Sequence, residues 1–481
     1  SVYTDAFFVA FRIPNLLRRL FAEGAFSQAF IPILTEYKNK NGELATKNLV
    51  DDVSSLLLWT IILITIAGII LAPLIVILIA GGFTSEPMTM TLSVNLTRIM
   101  FPYIFFMSLV TLAGGILNTN KEFKIPAFTP VLLNLSFILI ILFLVPNMEM
   151  PIYALSFAVF IGGILQLLIQ IPALIKINMF PKIHFNLFKS LNNNGVKRVL
   201  KQMVPATFAV SASQISLIIN TNIASHLDNR SVSWLSYADR LMELPTALLG
   251  VALATVLLPS LSNANIVGKE VEFSRLLDWG LKLTFLLALP AGVGLIILSE
   301  PITATLFHYG QFDDLSVKMT SIALAAYGIG LIGIIQVKIL APGFYAKQNI
   351  KTPVKIGLGV LLITQIMNLF FVPILNHAGL ALSVGIGAIV NSGLLYFLLK
   401  KRGIYKPHKG WLKFILKILV GIFILTFLGI WLSSFIDWIA LKNYPLIKIT
   451  ALSFIIISCK VFYFLSLYFM GLRPKDFLRN F

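Results

Sequence analysis

The 481-residue chain contains one cysteine, Cys459, which excludes an intramolecular disulfide and any multi-cysteine metal site. Charge is scarce as well: Asp, Glu, Lys and Arg make up 12% of residues, against roughly 25% in a soluble domain. The histidines, His184, His226, His308, His377 and His408, are scattered in or near loops without metal-ligand spacing. No nucleophile elbow, phosphate-binding loop or paired-carboxylate signature is present, so neither catalysis nor a cofactor is indicated. One GxGxxG match, Gly328, Gly330 and Gly333, lies inside an apolar run with no preceding strand. It reads as small residues for close helix packing. Acidic residues are outnumbered 20 to 38 by basic ones, a net charge of +18. In a soluble protein that excess would suggest nucleic acid. Here most lysines sit in short loops between apolar runs, where they set membrane topology.

What the chain has in abundance is hydrophobic residues, 58% of the total, with a mean hydropathy of +0.89. It must live in a bilayer. Since about 20 residues cross the hydrocarbon core, thirteen segments are long enough to span. They run Ala6 to Leu34, Val53 to Ala80, Thr91 to Leu117, Ala127 to Val145, Ile152 to Ile175, Val204 to Ala224 and Ser233 to Leu261, and continue Leu276 to Leu298, Met319 to Ala341, Val354 to Leu375, Gly379 to Leu399, Leu412 to Phe435 and Ile449 to Leu472. Basic residues crowd alternate loops, from Lys38, Lys40 and Lys47 through Lys176 to Lys201 to the tail residues Arg473, Lys475 and Arg479. The intervening loops hold only Arg230, Lys318, Lys442 and Lys448. The positive-inside rule makes the first set cytoplasmic, with the carboxyl terminus inside and Ser1 outside.

Two of these segments carry charges at membrane depth. In the first, Asp5, Arg12, Arg19 and Glu23 are spaced by seven, seven and four residues, one face of a helix, with Arg18 about 100° away. In the seventh, Asp239, Arg240 and Glu243 fall within about one turn, ahead of Pro245. A charge at the bilayer centre costs on the order of 3 kcal/mol and persists only facing a bundle interior or an aqueous cavity. Arginine keeps its proton and offers a planar donor fork suited to phosphate. The pattern points to a carrier of an anionic substrate, against the blander reading of charges snorkelling to the interface. Single charges at Arg98, Asp278, Lys282, Lys338 and Lys460 are weaker candidates for the same pathway. The polar run containing Gln214, Ser216 and Asn220 fits helix-to-helix glue as readily as a ligand contact.

An internal repeat sharpens the architecture. GILNTNKEFKIP, from Gly115 to Pro126, and GFYAKQNIKTP, from Gly343 to Pro353, both join a glycine, a short basic loop and a helix-starting proline. The first and seventh segments match in outline through Asp5, Pro14 and FIPIL against Asp239, Pro245 and LLPSL. Both pairs lie six spans apart, so the halves share one orientation as parallel repeats, with the substrate site near mid-membrane between them. The expected fold is all-α and polytopic: an N-terminal lobe over 1–176, a C-terminal lobe over 197–402, an additional helix pair over 410–472 and a tail over 473–481. The helix Val204 to Ala224 has no counterpart in the first half. The repeat therefore implies an amino-terminal helix ahead of Ser1, fourteen spans in all.

The stretches TDAFFVAFRIPNLLRRLFAEGAFSQAFIPIL, YADRLMELP, KTPVKI and LAPGFYAKQ resemble the MurJ (MviN) family, bacterial lipid II flippases of the multidrug/oligosaccharidyl-lipid/polysaccharide exporter superfamily, over essentially the whole chain. The resemblance implies a fourteen-helix inner-membrane carrier that moves undecaprenyl-pyrophosphate-linked peptidoglycan precursor outward by alternating access. It places the family's cavity charges on Asp5, Arg18, Arg19, Asp239 and Arg240, with Glu23 and Glu243 beside them. Lipid II and the bilayer are the implied partners, with proteins of cell-wall synthesis as further candidates. The alternative is a cation-coupled exporter of another lipid-linked oligosaccharide or a drug in the same superfamily.

Overall fold

The computed structural model describes residues 2–18, 25–473 and 477, without the side chains of 17, 18, 25, 27, 28 and 204–213. Every regular element among the described residues is helical. The chain forms two compact units, Ser1–Val232 and Ser233–Phe481.

In the first unit, α1 (Val2–Arg18) is followed by α2 (Ala25–Ile70), whose regular dihedrals break at Gly42, and by α3 (Ala72–Ile79) and α4 (Pro87–Met100). Next come α5 (Tyr103–Thr119), α6 (Lys124–Phe143), α7 (Pro151–Leu168), α8 (Ile171–Lys176), α9 (Leu187–Asn192) and α10 (Asn194–Ser225). Pro87 and Pro151 open their helices, where proline's missing N–H costs nothing. One core gathers Phe30, Ile33, Leu49, Ile116 and Val196 from α2, α5 and α10. Another packs Ala6 and Ala10 of α1 on Leu92 and Leu96 of α4. Helix α6 turns Phe128, Ile138, Leu142 and Phe143 outward. Such a surface suits lipid as solvent. Its inward side is held by polar contacts: Ser136 Oγ donates to Ala158 O at 2.7 Å, and Gln166 Nε2 donates to Thr129 O at 3.3 Å.

The second unit is built from α11 (Ser231–Pro245), a π-helical turn (Thr246–Val251), α12 (Ala252–Ile266), α13 (Glu270–Ile297), α14 (Ser299–Phe307) and α15 (Asp314–Tyr345). It ends with α16 (Lys351–Leu375), α17 (His377–Lys401), α18 (Trp411–Ser433) and α19 (Pro445–Phe469). Glycines set how closely α15 is approached. A Cβ on Gly330 would stand 2.0 Å from Gly385 Cα on α17, and one on Gly333 would stand 2.5 Å from Ile389 N. A Cβ on Gly328 would meet Gly292 O of α13 at 2.8 Å. The GxGxxG glycines are thus packing residues, as their apolar context implied. The final pair is locked likewise: a Cβ on Gly421 would meet the Tyr463 ring at 2.9 Å, and Tyr463 Oη donates to Leu286 O of α13 at 2.9 Å.

Eleven helices among the described residues are long and apolar enough to cross a membrane. They correspond to all the expected spans except the first and sixth. Those two run through residues that lie outside the described set, 19–24 in the first and the side chains of 204–213 in the sixth. The repeat is visible in backbone detail. Lys121 (φ 64) and Gln348 (φ 56) adopt the left-handed conformation after α5 and α15. Each is followed by the same wide bond, Glu122 N to Leu117 O and Asn349 N to Phe344 O, both 3.0 Å, and five residues later by Pro126 or Pro353. Asn178 (φ 57) and Gly403 (φ 70) repeat the device, with Met179 N to Leu174 O and Ile404 N to Leu399 O, both 3.0 Å. Such caps satisfy carbonyls that a helix end leaves without partners. Packing and repeat divide the chain differently at α10: it packs on α2 within the first unit, whereas the repeat counts it with the second half.

Candidate functional site

The charges of α1 follow from its buried face. Ala6, Val9, Ala10 and Ile13 are buried, so the helix is anchored along one side, with Asp5 buried one turn before Val9 and Arg12 only half-buried. Asp5 is 4% exposed, and its Oδ2 accepts the backbone N–H of Arg230 at 2.6 Å. Arg230 has φ 80 in the α10–α11 connection, so Asp5 ties α1 to a strained turn of its own unit. Arg12, two turns on, is half-buried. Pro14 removes a backbone donor between Arg12 and Arg18, leaving the Ala10 carbonyl without its usual intrahelical partner. Arg18 closes α1, and its side chain lies outside what is described. Arg19 and Glu23 lie outside the described residues altogether.

Helix α11 places Asp239, Arg240 and Glu243 by the same logic. Val232, Leu235, Ala238 and Met242 are buried at helical spacing, which turns Arg240 and Glu243 outward and leaves Asp239 half-buried. Tyr237 braces the helix against Phe307 at 4.8 Å and Phe312 at 5.3 Å. Just beyond, Pro245 ends the regular ladder and the backbone widens into the π turn. Thr246 Oγ1 donates to Met242 O at 3.0 Å there. Widened turns of this kind recur at functional sites. A Cβ on Gly250 would stand 2.6 Å from Lys338 Cδ, so the stem of Lys338 on α15 crosses bare backbone in the turn that follows the charged cluster. Lys338 is the one weak candidate that the fold brings to this region. Pro245 was its sequence signal for a bend; the lysine's approach from 93 residues away had none.

Other charges have structural duties. Asp278, 3% exposed, accepts from Tyr405 Oη and Trp411 Nε1 at 2.8 Å and from His408 N at 3.2 Å on Oδ1, while Lys282 Nζ reaches Oδ2 at 2.8 Å. This carboxylate staples the α17–α18 loop to α13. Burial, reinforced by the Asp278 acceptor, pushes the Tyr405 hydroxyl above its ordinary range and keeps it a donor. Asp278→Ala orphans three donors and Lys282, a loss of about 3–5 kcal/mol. A lowered unfolding temperature in detergent, with Asp278→Asn intermediate, is the expected readout. Lys448, expected in a loop, is instead fully buried in α19. Its Nζ donates to Ala304 O at 2.8 Å and lies 4.3 Å from the Tyr309 ring centroid, so it caps the carboxyl end of α14. On α10, Asn222 Nδ2 donates to Leu78 O at 3.1 Å and Ser225 Oγ accepts from Gly82 N at 3.0 Å, contacts made beyond Gln214, Ser216 and Asn220. Among the described residues no group of three or more His, Cys, Asp or Glu side chains could hold a metal ion.

The fold and these charged helices have known counterparts. A family model described as lipid II flippase MurJ matches residues 1–449. The lipid II flippase MurJ of Burkholderia cenocepacia is 55% identical over 480 residues, covering 100% of this chain and 93% of its own length. The chain belongs to the MurJ family. A probable lipid II flippase MurJ of Buchnera aphidicola from Acyrthosiphon pisum is 45% identical over 423 residues, 88% of this chain and 82% of that protein. Among solved structures, lipid II flippase MurJ in an inward closed conformation matches with a TM-score of 0.82 and 28% identity, over 100% of this chain and 94% of that one. An inward-facing multidrug resistance MATE family transporter of the MOP superfamily matches at 0.69 and 16% identity, covering 83% of this chain and 94% of its own, a likeness of fold alone. The all-helical, multi-pass membrane architecture and the family read from the sequence both stand, and the relatives are named as flippases and transporters.

Proposed function

We propose that the protein is a lipid II flippase, carrying the undecaprenyl-pyrophosphate-linked precursor from the inner to the outer leaflet of the bacterial cytoplasmic membrane by alternating access. The observation that carries this reading is Arg240: a permanently charged guanidinium, turned outward beside Asp239 and Glu243, on a membrane helix interrupted by a π turn. Arginine binds pyrophosphate through charge-assisted, bidentate bonds. Arg12, Arg18 and Arg19 are the corresponding donors proposed from the first half, with Asp5 and Glu23 holding their geometry. The halves, proposed as 1–176 and 197–402, rock about the bound head group, and carboxylate–arginine pairing changes between states. Outward movement of an anion couples to the membrane potential. The lipid tail stays in the bilayer along the pair α18 and α19, which lies outside the repeat and exposes Phe423, Phe427 and Phe462. The lysine-rich loops and the carboxyl terminus face the cytoplasm.

Bacteria depleted of their own lipid II flippase test the proposal. Expression of this protein is expected to restore growth and lipid II exposure on the outer leaflet. A well-expressed protein that exposes no lipid II would favour the sister reading, a cation-coupled exporter of another lipid-linked oligosaccharide or a drug.

A further inference from the structure

The connection between α8 and α10 is not absorbed by the transport reading. It is a strap laid along α2 and fixed at many points. Met179 is buried in the core shared by α2, α5 and α10. Lys182 N donates to Asp51 Oδ1 at 2.8 Å, and His184 N donates to Ser55 Oγ at 3.0 Å. His184 Nε2 lies 2.9 Å from Asp52 Oδ1, and Asn193 Nδ2 donates to Asp52 Oδ2 at 2.7 Å. Trp59 Nε1 donates to His184 O at 3.3 Å, and the Trp59 ring lies tilted against Phe185, centroids 4.7 Å apart.

A segment held this firmly would ordinarily tuck its aromatics in. This one presents them: Phe185 is 81% exposed and Phe188 83%. Phe185, Phe188 and Leu191 recur every three residues, so α9 and its approach form an apolar edge. Trp59 lies six residues beyond Val53, about 9 Å into the α2 span at 1.5 Å per residue. Phe185 therefore sits at the boundary between head groups and acyl chains, where aromatic rings concentrate. Exposed Lys182 and Lys189 flank these rings, Lys176 precedes them, and Lys197 and Lys201 follow. Apolar side chains at that depth with lysines beside them match an anionic leaflet surface.

We propose that the strap over residues 177–193 is a docking site for the anionic phospholipid of the leaflet it faces. Lys182 and Lys189 engage phosphate head groups while Phe185 and Phe188 enter the acyl boundary. The strap joins the two repeated halves, so this anchorage fixes the link between them to the leaflet surface. The inference rests on the membrane placement of the strap and not on the identity of the transported lipid.

The test uses the full chain in nanodiscs, with Asn192→Cys carrying an environment-sensitive dye; Cys459 is buried and escapes labelling. Phosphatidylglycerol is titrated into phosphatidylcholine. The expected result is a blue shift that saturates with phosphatidylglycerol and weakens with salt. In Lys182→Gln/Lys189→Gln the half-saturating fraction rises roughly 30-fold, Lys182→Arg/Lys189→Arg restores it, and Phe185→Ser/Phe188→Ser removes the blue shift. The proposal is overturned by an equal shift in pure phosphatidylcholine, by indifference to the glutamine pair, or by a dimer mass showing that a second copy covers the strap.

Discussion

Gly330→Leu is expected to abolish the folded protein. The position has no room for a β-carbon, because one would stand 2.0 Å from Gly385 Cα and 2.8 Å from Gly385 O. Overpacking an ordinary core costs about 1–3 kcal/mol, since neighbouring side chains rotate away. Here the obstacle is backbone on both sides, so α15 and α17 must separate along their crossing, which also carries Gly333 against Ile389. The loss exceeds the ordinary range and appears as failure to recover monodisperse protein. Gly393→Ala on the same α17 supplies the control: a Cβ there meets nothing within 4 Å. Replacing a helical glycine by alanine adds up to about 1 kcal/mol of helix stability, so this variant should be at least as stable as the parent.

Arg240→Ala is expected to leave the fold intact and remove transport. The side chain is exposed and the buried face of α11 is made by other residues, so truncation opens no cavity. A hydrogen bond to a charged group contributes about 1.5–3 kcal/mol, and the loss of bidentate pyrophosphate binding corresponds to a roughly 100-fold fall in transport at about 1.4 kcal/mol per decade. Arg240→Lys retains the charge but not the fork, and falls between the two. Unchanged unfolding temperature beside lost transport separates this effect from that of Gly330→Leu. Full transport by Arg240→Ala would remove the cationic site from the account.

The membrane architecture was legible because it is written in local signals. Apolar runs of sufficient length and alternating basic loops located the helices. The matching turns at Lys121 and Gln348 were announced by a glycine, a basic loop and a proline in each half. The packing role of Gly328, Gly330 and Gly333 was also legible, since a phosphate loop needs a strand that the context lacks. What escaped were contacts between distant segments. Asp278 meets Tyr405 and Trp411 across more than 120 residues, and a lone carboxylate in an apolar run looks the same whether it lines a path or staples a loop. Lys448 stands one residue before the apolar run that begins at Ile449, so hydropathy assigned it to a loop. Its partners are backbone carbonyls and an aromatic ring, which leave no sequence mark. For the candidate site, Pro245 signalled a bend after Arg240, but neither the π register nor the approach of Lys338 to Gly250 could be read from spacing.

The central claim, that this chain moves lipid II through a cationic site, is tested most directly in vesicles reconstituted with the purified protein. Lipid II is introduced in one leaflet, and its arrival in the other is followed with a membrane-impermeant reagent. The account predicts transfer well above that of protein-free vesicles, abolished by Arg240→Ala and absent for an analogue whose pyrophosphate is replaced by a neutral linkage. Equal transfer of the neutral analogue, or no transfer by folded protein, would contradict it.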